Sequence, residues 1–235
     1  MLKQSHFRRI LRARMMKPGN LEEVTNLHLS NRLLVVAAAC VLCAFYQGAF
    51  AADNHPALTP NQDFSNTLLQ VHAPASEGWF GSERSTDHIA FGKRGSSSSE
   101  SFIAQVNLFR LTTFADSAAF TEYIREQVIK GAPTDRFETL ESNVQYTAER
   151  GYPCVSYHAV SNDEKPRTSS FFRKTLRFEI YALYCQHPLK PGLGFMAAYS
   201  HRGGDIDAAL AKEAADFIDS IQVTPHSAAT GGENP

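Results

Sequence analysis

The first candidate chemistry in this sequence lies at two cysteine–histidine pairs. Cys154 precedes His158 by four positions. Cys185 precedes His187 by two, so the four side chains offer ligand types that zinc takes. Residues four apart on a strand stand about 13 Å apart, whereas zinc contacts each ligand at about 2.0–2.3 Å. A four-ligand site would need a severe bulge, and we predict neither a metal nor a cofactor.

The same two cysteines favour a disulfide instead. They lie 31 positions apart, on neighbouring predicted strands. An exported chain reaches an oxidising compartment, where such a pair forms a bond. The chain-entropy description of a cross-link of this length gives about 3–4 kcal/mol of stabilisation. We therefore predict that Cys154 is joined to Cys185.

The densest polar cluster is Tyr199-Ser200-His201-Arg202-Gly203-Gly204, where a predicted strand ends and the last predicted helix begins. Arg202, His201 and the free N–H groups of a helix start could hold a small anion or a peptide carboxylate. A capping loop whose glycines serve backbone geometry explains the same residues. Ser200 and His201 do not make a nucleophile and its base, because neighbours on a strand point to opposite faces.

The single tryptophan, Trp79, stands between glycines in Glu77-Gly78-Trp79-Phe80-Gly81. This setting fits either an exposed aromatic side chain that recognises a ligand or a staple that closes the core. The candidate binding residues are thus Trp79, Tyr199, His201 and Arg202.

Common catalytic signatures are missing from the sequence. There is no Gly-x-Ser-x-Gly nucleophile elbow and no Gly-x-Gly-x-x-Gly dinucleotide motif. A phosphate loop ending at Lys93 would need glycine at Asp87, and serine or threonine at Arg94 to bind magnesium. These observations favour a protein that is not an enzyme.

Alternating apolar residues predict the strands that must position these side chains. Two runs, residues 102–109 and 175–184, alternate clearly. Shorter strands are predicted at Leu68–His72, His88–Lys93, Val144–Ala148, Val155–Val160 and Leu193–Ser200. Several of them carry apolar residues at both parities, which indicates a sheet covered on both faces.

Helical spacing occurs twice. Asp116 is a good N-cap for the first helix, and Gly131 would end it. Between them, apolar residues recur every four positions: Phe120, Ile124 and Val128. The second helix is predicted to start at a Gly203-Gly204-Asp205 cap. Its apolar stripe is Leu210, Ala214, Phe217, Ile218 and Ile221.

The predicted element order is β-β-β-α-β-β-β-β-α. This order, with a closing helix that ends in Phe217-Ile218-Asp219-Ser220-Ile221, resembles the PsbP superfamily over about residues 64–223. The resemblance implies an α+β fold, mainly an antiparallel sheet covered by helices on both faces in an α/β/α sandwich. It also implies a binding or assembly factor, and no catalytic signature accompanies it.

The N-terminal residues predict export. Residues 1–32 carry seven basic and two acidic residues, a net charge of +5, and 14 apolar residues follow from Leu33 to Tyr46. Small residues in Ala49-Phe50-Ala51 complete a secretory signal peptide that is cleaved after Ala51. Two alternatives stay open: lipidation at Cys40, or retention of residues 33–52, which are just long enough to cross a bilayer.

Cleavage would leave a mildly acidic chain. It has 16 basic and 22 acidic residues, a net charge of −6, and so no electrostatic reason to bind nucleic acid or anionic lipid. We divide the sequence into a signal peptide (1–51), a flexible tether (52–63), a single α+β domain (64–223) and a disordered tail (224–235).

We expect a non-catalytic binding or assembly module of the cell envelope, located in the periplasm, with a protein partner. Contact with the membrane would occur only through the N-terminal segment, if that segment is retained or lipidated. The alternatives are a secreted hydrolase with a site near His201 and Arg202, or a carrier of a small ligand or metal. A deep pocket would favour the enzyme, and a shallow apolar patch would favour partner binding.

Overall fold

Antiparallel strands are the predominant secondary structure in the part of the chain that the structure describes. The computed structural model describes residues 56–132, 135–165 and 175–224, of which 48% lie in strands and 16% in helices. The predicted signal peptide, including Cys40, and residues 225–235 of the predicted tail lie outside the described residues. Neither described helix is long and apolar enough to cross a membrane.

Ten strands and two helices follow one another along the described chain. The first five strands are β1 (Asp63–Ser65), β2 (Leu69–His72), β3 (Trp79–Arg84), β4 (His88–Arg94) and β5 (Ser101–Arg110). Next come helix α1 (Ser117–Gly131) and strands β6 (Phe137–Thr147), β7 (Cys154–Asp163), β8 (Leu176–Gln186) and β9 (Leu193–Gly203). The last elements are helix α2 (Leu210–Asp219) and strand β10 (Gln222–Val223).

These strands form two antiparallel sheets. The larger has seven strands in the order β3-β4-β5-β9-β8-β7-β6, and the smaller has the order β1-β2-β10. Strand β9 lies in the middle of the larger sheet, paired with β5 on one side and β8 on the other. Ten of its eleven residues are buried. This central position explains why apolar residues occur on both faces of β9 in the sequence pattern.

Each helix packs on a different face of the large sheet. Phe120, Ile124 and Val128 of α1 share a core with Met196 and Ala198 of β9. We call this side the α1 face. Leu210, Ala214 and Phe217 of α2 share the other core with Phe195, Ala197 and Tyr199 of β9, and with β2 of the small sheet. We call that side the α2 face.

Helix α1 begins and ends where the sequence predicts. The Oδ1 of Asp116 accepts a hydrogen bond from the N–H of Ala119 at 2.8 Å, and the helix runs to Gly131. Helix α2 begins later than predicted, because β9 extends as far as Gly203, which pairs with Arg177 of β8. A carboxylate oxygen of Asp207 then accepts a bond from the N–H of Ala209 at 2.8 Å, just before the helix.

The prediction of an α/β/α sandwich with helices covering both faces is wrong. A helix about 10 Å wide covers about two strands spaced 4.8 Å apart, and the described chain has one helix of 15 residues and one of 10 for seven strands. The α2 face is shared between helix and small sheet. Apolar spacing identifies a helix, but it does not tell how many strands the helix covers.

Four strands differ from the sequence prediction. Strands β1, β3 and β10 were not predicted, because they are short or carry few alternating apolar residues. Strand β6 is longer than predicted. Most of its side chains are exposed, so its sequence lacks the apolar alternation that would have shown the full length of the strand. Within the segment assigned to the tether, the N–H of Leu58 donates to the carbonyl of Trp79 at 2.8 Å.

The predicted disulfide is confirmed. Cys154 of β7 and Cys185 of β8 lie directly opposite each other, with Cα atoms 4.1 Å apart and a bond between their sulfurs. Both cysteines are completely buried on the α2 face.

Replacing both cysteines should lower stability. We expect Cys154→Ala/Cys185→Ala to lose about 3–4 kcal/mol of unfolding free energy, because the unfolded chain regains the freedom that the cross-link removes. Urea unfolding of the oxidised protein and the variant measures this loss. Reduced wild type is the control and should unfold near the variant, and a variant as stable as the oxidised protein would contradict the account.

Helix α1 supplies a second stability test. Phe120→Ala empties a fully buried position between α1 and the sheet and should cost about 3–5 kcal/mol. Ile129→Ala, on the same helix but 59% exposed, should change stability by less than about 0.5 kcal/mol. Equal effects of the two substitutions in thermal unfolding would show that α1 does not pack as described.

Candidate functional site

A cleft of about 490 Å³ lies between α2 and the chain that follows β2. We call it the α2 cleft. One wall is Asn61 with residues 72–76, and the other is Ala208, Ala209, Lys212, Glu213, Asp216, Phe217 and Ser220. Its volume falls within the range of about 300–1,000 Å³ that is typical of ligand sites.

The wall beside β2 is held by backbone and side-chain hydrogen bonds. The N–H of Ala73 donates to the carbonyl of Gln62 at 2.8 Å, and Pro74 offers no N–H that could continue the strand. The N–H of His72 donates to the Ser220 hydroxyl at 3.3 Å, which ties β2 to the end of α2. This bond thus connects the two walls of the cleft.

Trp79 is buried and does not line the cleft. Its side chain is 1% exposed, and its indole N–H donates to the Ser76 hydroxyl at 3.0 Å. The ammonium of Lys93 donates to the same oxygen at 3.1 Å. The burial of Trp79 agrees with an aromatic side chain that closes the core. Its indole N–H also fixes the Ser76 hydroxyl in the cleft wall.

Tyr199 fixes Glu213, a residue of the opposite wall, by a hydrogen bond from the core. It is completely buried, its ring makes an edge contact with Trp79 at 5.5 Å between centroids, and its hydroxyl donates to the Glu213 carboxylate. Burial, and then the bond to Glu213, raise the pKa of Tyr199 far above its ordinary 10.0. The phenol therefore stays protonated and donates at any physiological pH.

His201 is on the same face but outside the cleft lining. Its ring stacks on Phe102 with centroids 4.4 Å apart, and its Nε2 lies 3.0 Å from an oxygen of Glu100. The other oxygen of Glu100 accepts bonds from the N–H and the hydroxyl of Ser96. The Ser96 hydroxyl, and then His201, lower the pKa of Glu100 despite its partial burial.

The geometry around His201 does not match a serine hydrolase. In those enzymes the histidine stands between the hydroxyl and the carboxylate. Here Glu100 stands between Ser96 and His201, and Ser200 lies on the opposite face of the sheet. Neither Ser96 nor Ser200 is therefore placed where His201 could deprotonate it.

Arg202 is separated from the other three candidate residues. It extends from the α1 face, where its Nη1 lies 3.6 Å from Asp163 of β7. Trp79 and Tyr199 contact each other, and His201 follows Tyr199 along the α2 face. The cluster at 199–202 is continuous in sequence, but strand alternation divides it between the two faces of the sheet.

The residues that line the cleft were missed at the sequence level. Glu213 and Asp216 stand off the apolar stripe of α2, which predicts exposure but no site. Nothing in the sequence places residues 72–76 opposite them. The only available signal was the unusual run Ala73-Pro74-Ala75-Ser76, which predicts a bend after a strand.

The cleft has a mildly negative charge. The Lys212 ammonium lies 2.6 Å from Asp216, and the Glu213 carboxylate adds a second negative group. His72 at the rim lies 3.0 Å from Asp63. With His72 neutral, the lining residues have a formal charge of −1, which favours a ligand with a basic group.

The four side chains that the sequence offered as zinc ligands make other contacts in the structure. The disulfide takes up both sulfurs. His158 stacks on Tyr181 and lies 2.9 Å from Glu179, while the Nδ1 of His187 accepts a bond from the N–H of Leu189. Burial lowers the pKa of His187. Within the described residues, no group of three or more histidine, cysteine, aspartate or glutamate side chains is arranged to hold a metal.

Comparison with known proteins does not assign this chain to a family. No family model and no curated protein matches this sequence. Similar solved structures include one from Bacteroides thetaiotaomicron, the Ran-binding protein Mog1p from Saccharomyces cerevisiae, and a mutant of protein Mog1, each with a TM-score of 0.38. Their sequence identities are 10%, 9% and 10%, and they cover 71%, 73% and 73% of this chain.

The coverage of the matched structures differs. The alignment covers 50% of the Bacteroides chain and 96% of each Mog1 chain, so this chain spans about half the length of the Bacteroides structure. Structural similarity this low supports no inference about the site. The PsbP resemblance stays a prediction.

The buried phenol makes stability depend on alkaline pH. Because the pKa of Tyr199 is raised in the folded state, its contribution is complete below the unfolded pKa of about 10 and is lost at higher pH. Urea midpoints of wild type should therefore fall between pH 8 and pH 11, and Tyr199→Phe should lose less over that interval. Tyr146→Phe, at an exposed position, is the control and should keep the wild-type loss. Identical losses in all three proteins would contradict the assignment.

Proposed function

We propose that this protein is an exported, non-catalytic binding module of the cell envelope, and that the α2 cleft receives part of a protein partner. The observation that carries the proposal is a cleft of about 490 Å³ whose polar groups are fixed from below by buried aromatic residues. Ser76 and Glu213 are held by Trp79 and Tyr199 before any partner arrives. A preorganised wall loses little conformational entropy on binding.

Two features support export to an oxidising compartment. Residues 1–51 have the basic head, apolar centre and small-residue end of a signal peptide. The bond between Cys154 and Cys185 belongs to a class of cross-link that persists outside the reducing cytosol. We propose that the exported protein resides in the periplasm.

The hydroxyls in the cleft favour binding over hydrolysis. Ser76 accepts bonds from Trp79 and Lys93. Ser220 donates to the carbonyl of Phe217 at 2.7 Å and accepts from the N–H of His72. Both hydroxyls are engaged in holding the walls, and neither is paired with a histidine ring that could activate it.

The lining indicates the chemistry of the partner. Ala73, Pro74 and Ala208 provide apolar contact, and the carboxylates of Glu213 and Asp216 provide negative charge. A lysine or arginine side chain on an otherwise apolar segment of a protein matches both features. The net charge of −6 on the chain after residue 51 would also steer a basic partner.

Site-specific crosslinking tests the cleft as the contact surface. A photo-crosslinking residue in place of Ala75 or Ala208 should give one discrete protein adduct in cells that make the full chain. The same residue in place of Ile129, on the exposed side of α1, is the control and should not give that adduct. Glu213→Gln should weaken the adduct several-fold, whereas Glu126→Gln, an exposed glutamate on α1, should leave it unchanged. Equal adducts from Ala75 and Ile129 would overturn the proposal.

Export is tested separately by the N-terminus of the product. Intact-mass analysis of protein from the cell envelope should show a chain that begins at Ala52. A product that keeps residues 1–51 in the cytosol would contradict export without affecting the cleft.

A small-ligand carrier is the second candidate function. The volume of the cleft is typical of small-ligand pockets, and its charge would select an organic amine. Native mass spectrometry of the purified protein would show such a ligand as a fixed mass increment that Glu213→Gln removes.

A further inference from the structure

The α2 cleft has its negative charge on one wall. Glu213 and Asp216 follow each other at a spacing of three along α2, which places them on the same side of the helix, and both line the cleft. On the opposite wall, the Ser76 hydroxyl accepts a hydrogen bond from the ammonium of Lys93. A positively charged group that enters the cleft is therefore attracted to the α2 wall and repelled from the Ser76 wall.

Each of the two carboxylates already has one oxygen engaged. The Tyr199 hydroxyl donates to Oε2 of Glu213, and the Lys212 ammonium donates to Oδ2 of Asp216 at 2.6 Å. Among the described residues, no side chain donates to Oε1 of Glu213 or to Oδ1 of Asp216. The cleft thus presents one available oxygen from each of two carboxylates, and not both oxygens of a single one.

This arrangement fits an ammonium group better than a guanidinium group. Arginine makes its strongest pairs when two parallel N–H groups meet both oxygens of one carboxylate. An ammonium is compact and has three donors that rotate, so it can donate to oxygens of two different carboxylates. Because Tyr199 and Lys212 each occupy one oxygen, neither carboxylate in the lining is open to the paired bonds of an arginine.

The apolar part of the lining fits the rest of a lysine side chain. Ala73, Pro74 and Ala75 form part of one wall, and Ala208 and Ala209 form part of the other. A lysine packs its four-carbon stem along apolar surface while its ammonium reaches a polar or charged group. The cleft therefore has separate places for the stem and for the charge.

We propose that the α2 cleft selects a lysine side chain of the protein partner over an arginine side chain, with Oε1 of Glu213 and Oδ1 of Asp216 as acceptors. This inference rests on the function proposed for the cleft and names the side chain that the cleft recognises. Tyr199 and Lys212 are positioning residues, because each acts on the ligand through the carboxylate oxygen that it occupies.

Three matched peptides test this preference. Each is acetylated and amidated, with alanines around a central lysine, arginine or norleucine, and is titrated into protein purified from cells that make the full chain. Amide chemical shifts of residues 208–220 report binding. The lysine peptide should bind at least about threefold more tightly than the arginine peptide, which cannot pair with both acceptors equally well. The norleucine peptide lacks a charge and should not bind measurably.

Tyr199→Phe tests how the preference arises. The substitution removes the hydroxyl from Oε2 of Glu213, so an arginine can use both oxygens of that carboxylate, and the ratio of the two dissociation constants should move towards one. Tyr146→Phe, at an exposed position, is the matched control and should keep the wild-type ratio. A merely structural role of Tyr199 would weaken both peptides equally and leave the ratio unchanged.

Lys212→Met is a second variant that does not disturb the core. The side chain of Lys212 is exposed, and its loss makes Oδ2 of Asp216 available, so both peptides should bind more tightly and the arginine peptide should gain more. Lys130→Met breaks a matched pair with Glu126 at the same helical spacing on α1 and should change neither affinity. This variant decides the question even if Tyr199→Phe fails to fold.

The crosslinking experiment separates failure of this inference from failure of the proposed function. If the residue at Ala75 gives its adduct but the lysine and arginine peptides bind equally, or none of the peptides binds, the lysine preference is overturned and the cleft remains the contact surface. A wild-type preference that both Tyr199→Phe and Lys212→Met leave unchanged also overturns the inference. If no adduct forms, the proposed function fails and the lysine preference fails with it.

Discussion

The alternation of side chains along the central strand β9 determines on which face of the large sheet each of its polar residues can act. Because β9 is paired on both sides and buried on both faces, each of its residues must belong to one core or the other. Tyr199 and His201 face α2, whereas Ser200 and Arg202 face away from it. The position of Tyr199 behind the wall of the α2 cleft is therefore a consequence of the alternation along this one strand.

The α2 cleft shows how a buried core can prepare a surface for binding. Trp79 and Tyr199 are too deep to touch a ligand, yet each donates a hydrogen bond to a residue in the cleft wall. Their burial is what makes these bonds strong, since water does not compete for the donors. Aromatic residues with a polar end are well suited to this task, because the ring packs in the core while the donor reaches outward.

The sequence predicts local features better than it predicts their arrangement. The cap at Asp116, the spacing of Phe120 and Ile124, and the pairing of the two cysteines depend on contacts that leave a clear pattern in the chain. The sandwich prediction was wrong because apolar spacing does not show how much of a sheet two helices cover. Strand β6 was shortened because its exposed side chains hide the alternation.

The candidate site was predictable only in part, for a similar reason. The aromatic residues Trp79 and Tyr199 were found from their types and neighbours, but their partners Ser76 and Glu213 are ordinary polar residues, and nothing in the sequence places these two opposite each other. Contacts between a loop and a helix that are more than 130 positions apart leave no periodic signal in one chain. Arg202 was grouped with His201 because they are adjacent, and the sheet separates them.

Hydrogen exchange of the protein bound to its crosslinked partner tests the α2 cleft most directly. Binding in the cleft should slow exchange of backbone amides in residues 72–76 and at the start of α2, and leave α1 unchanged. Slowed exchange confined to α1 or to the exposed strand β6 would show that the partner contacts another surface and would contradict the account.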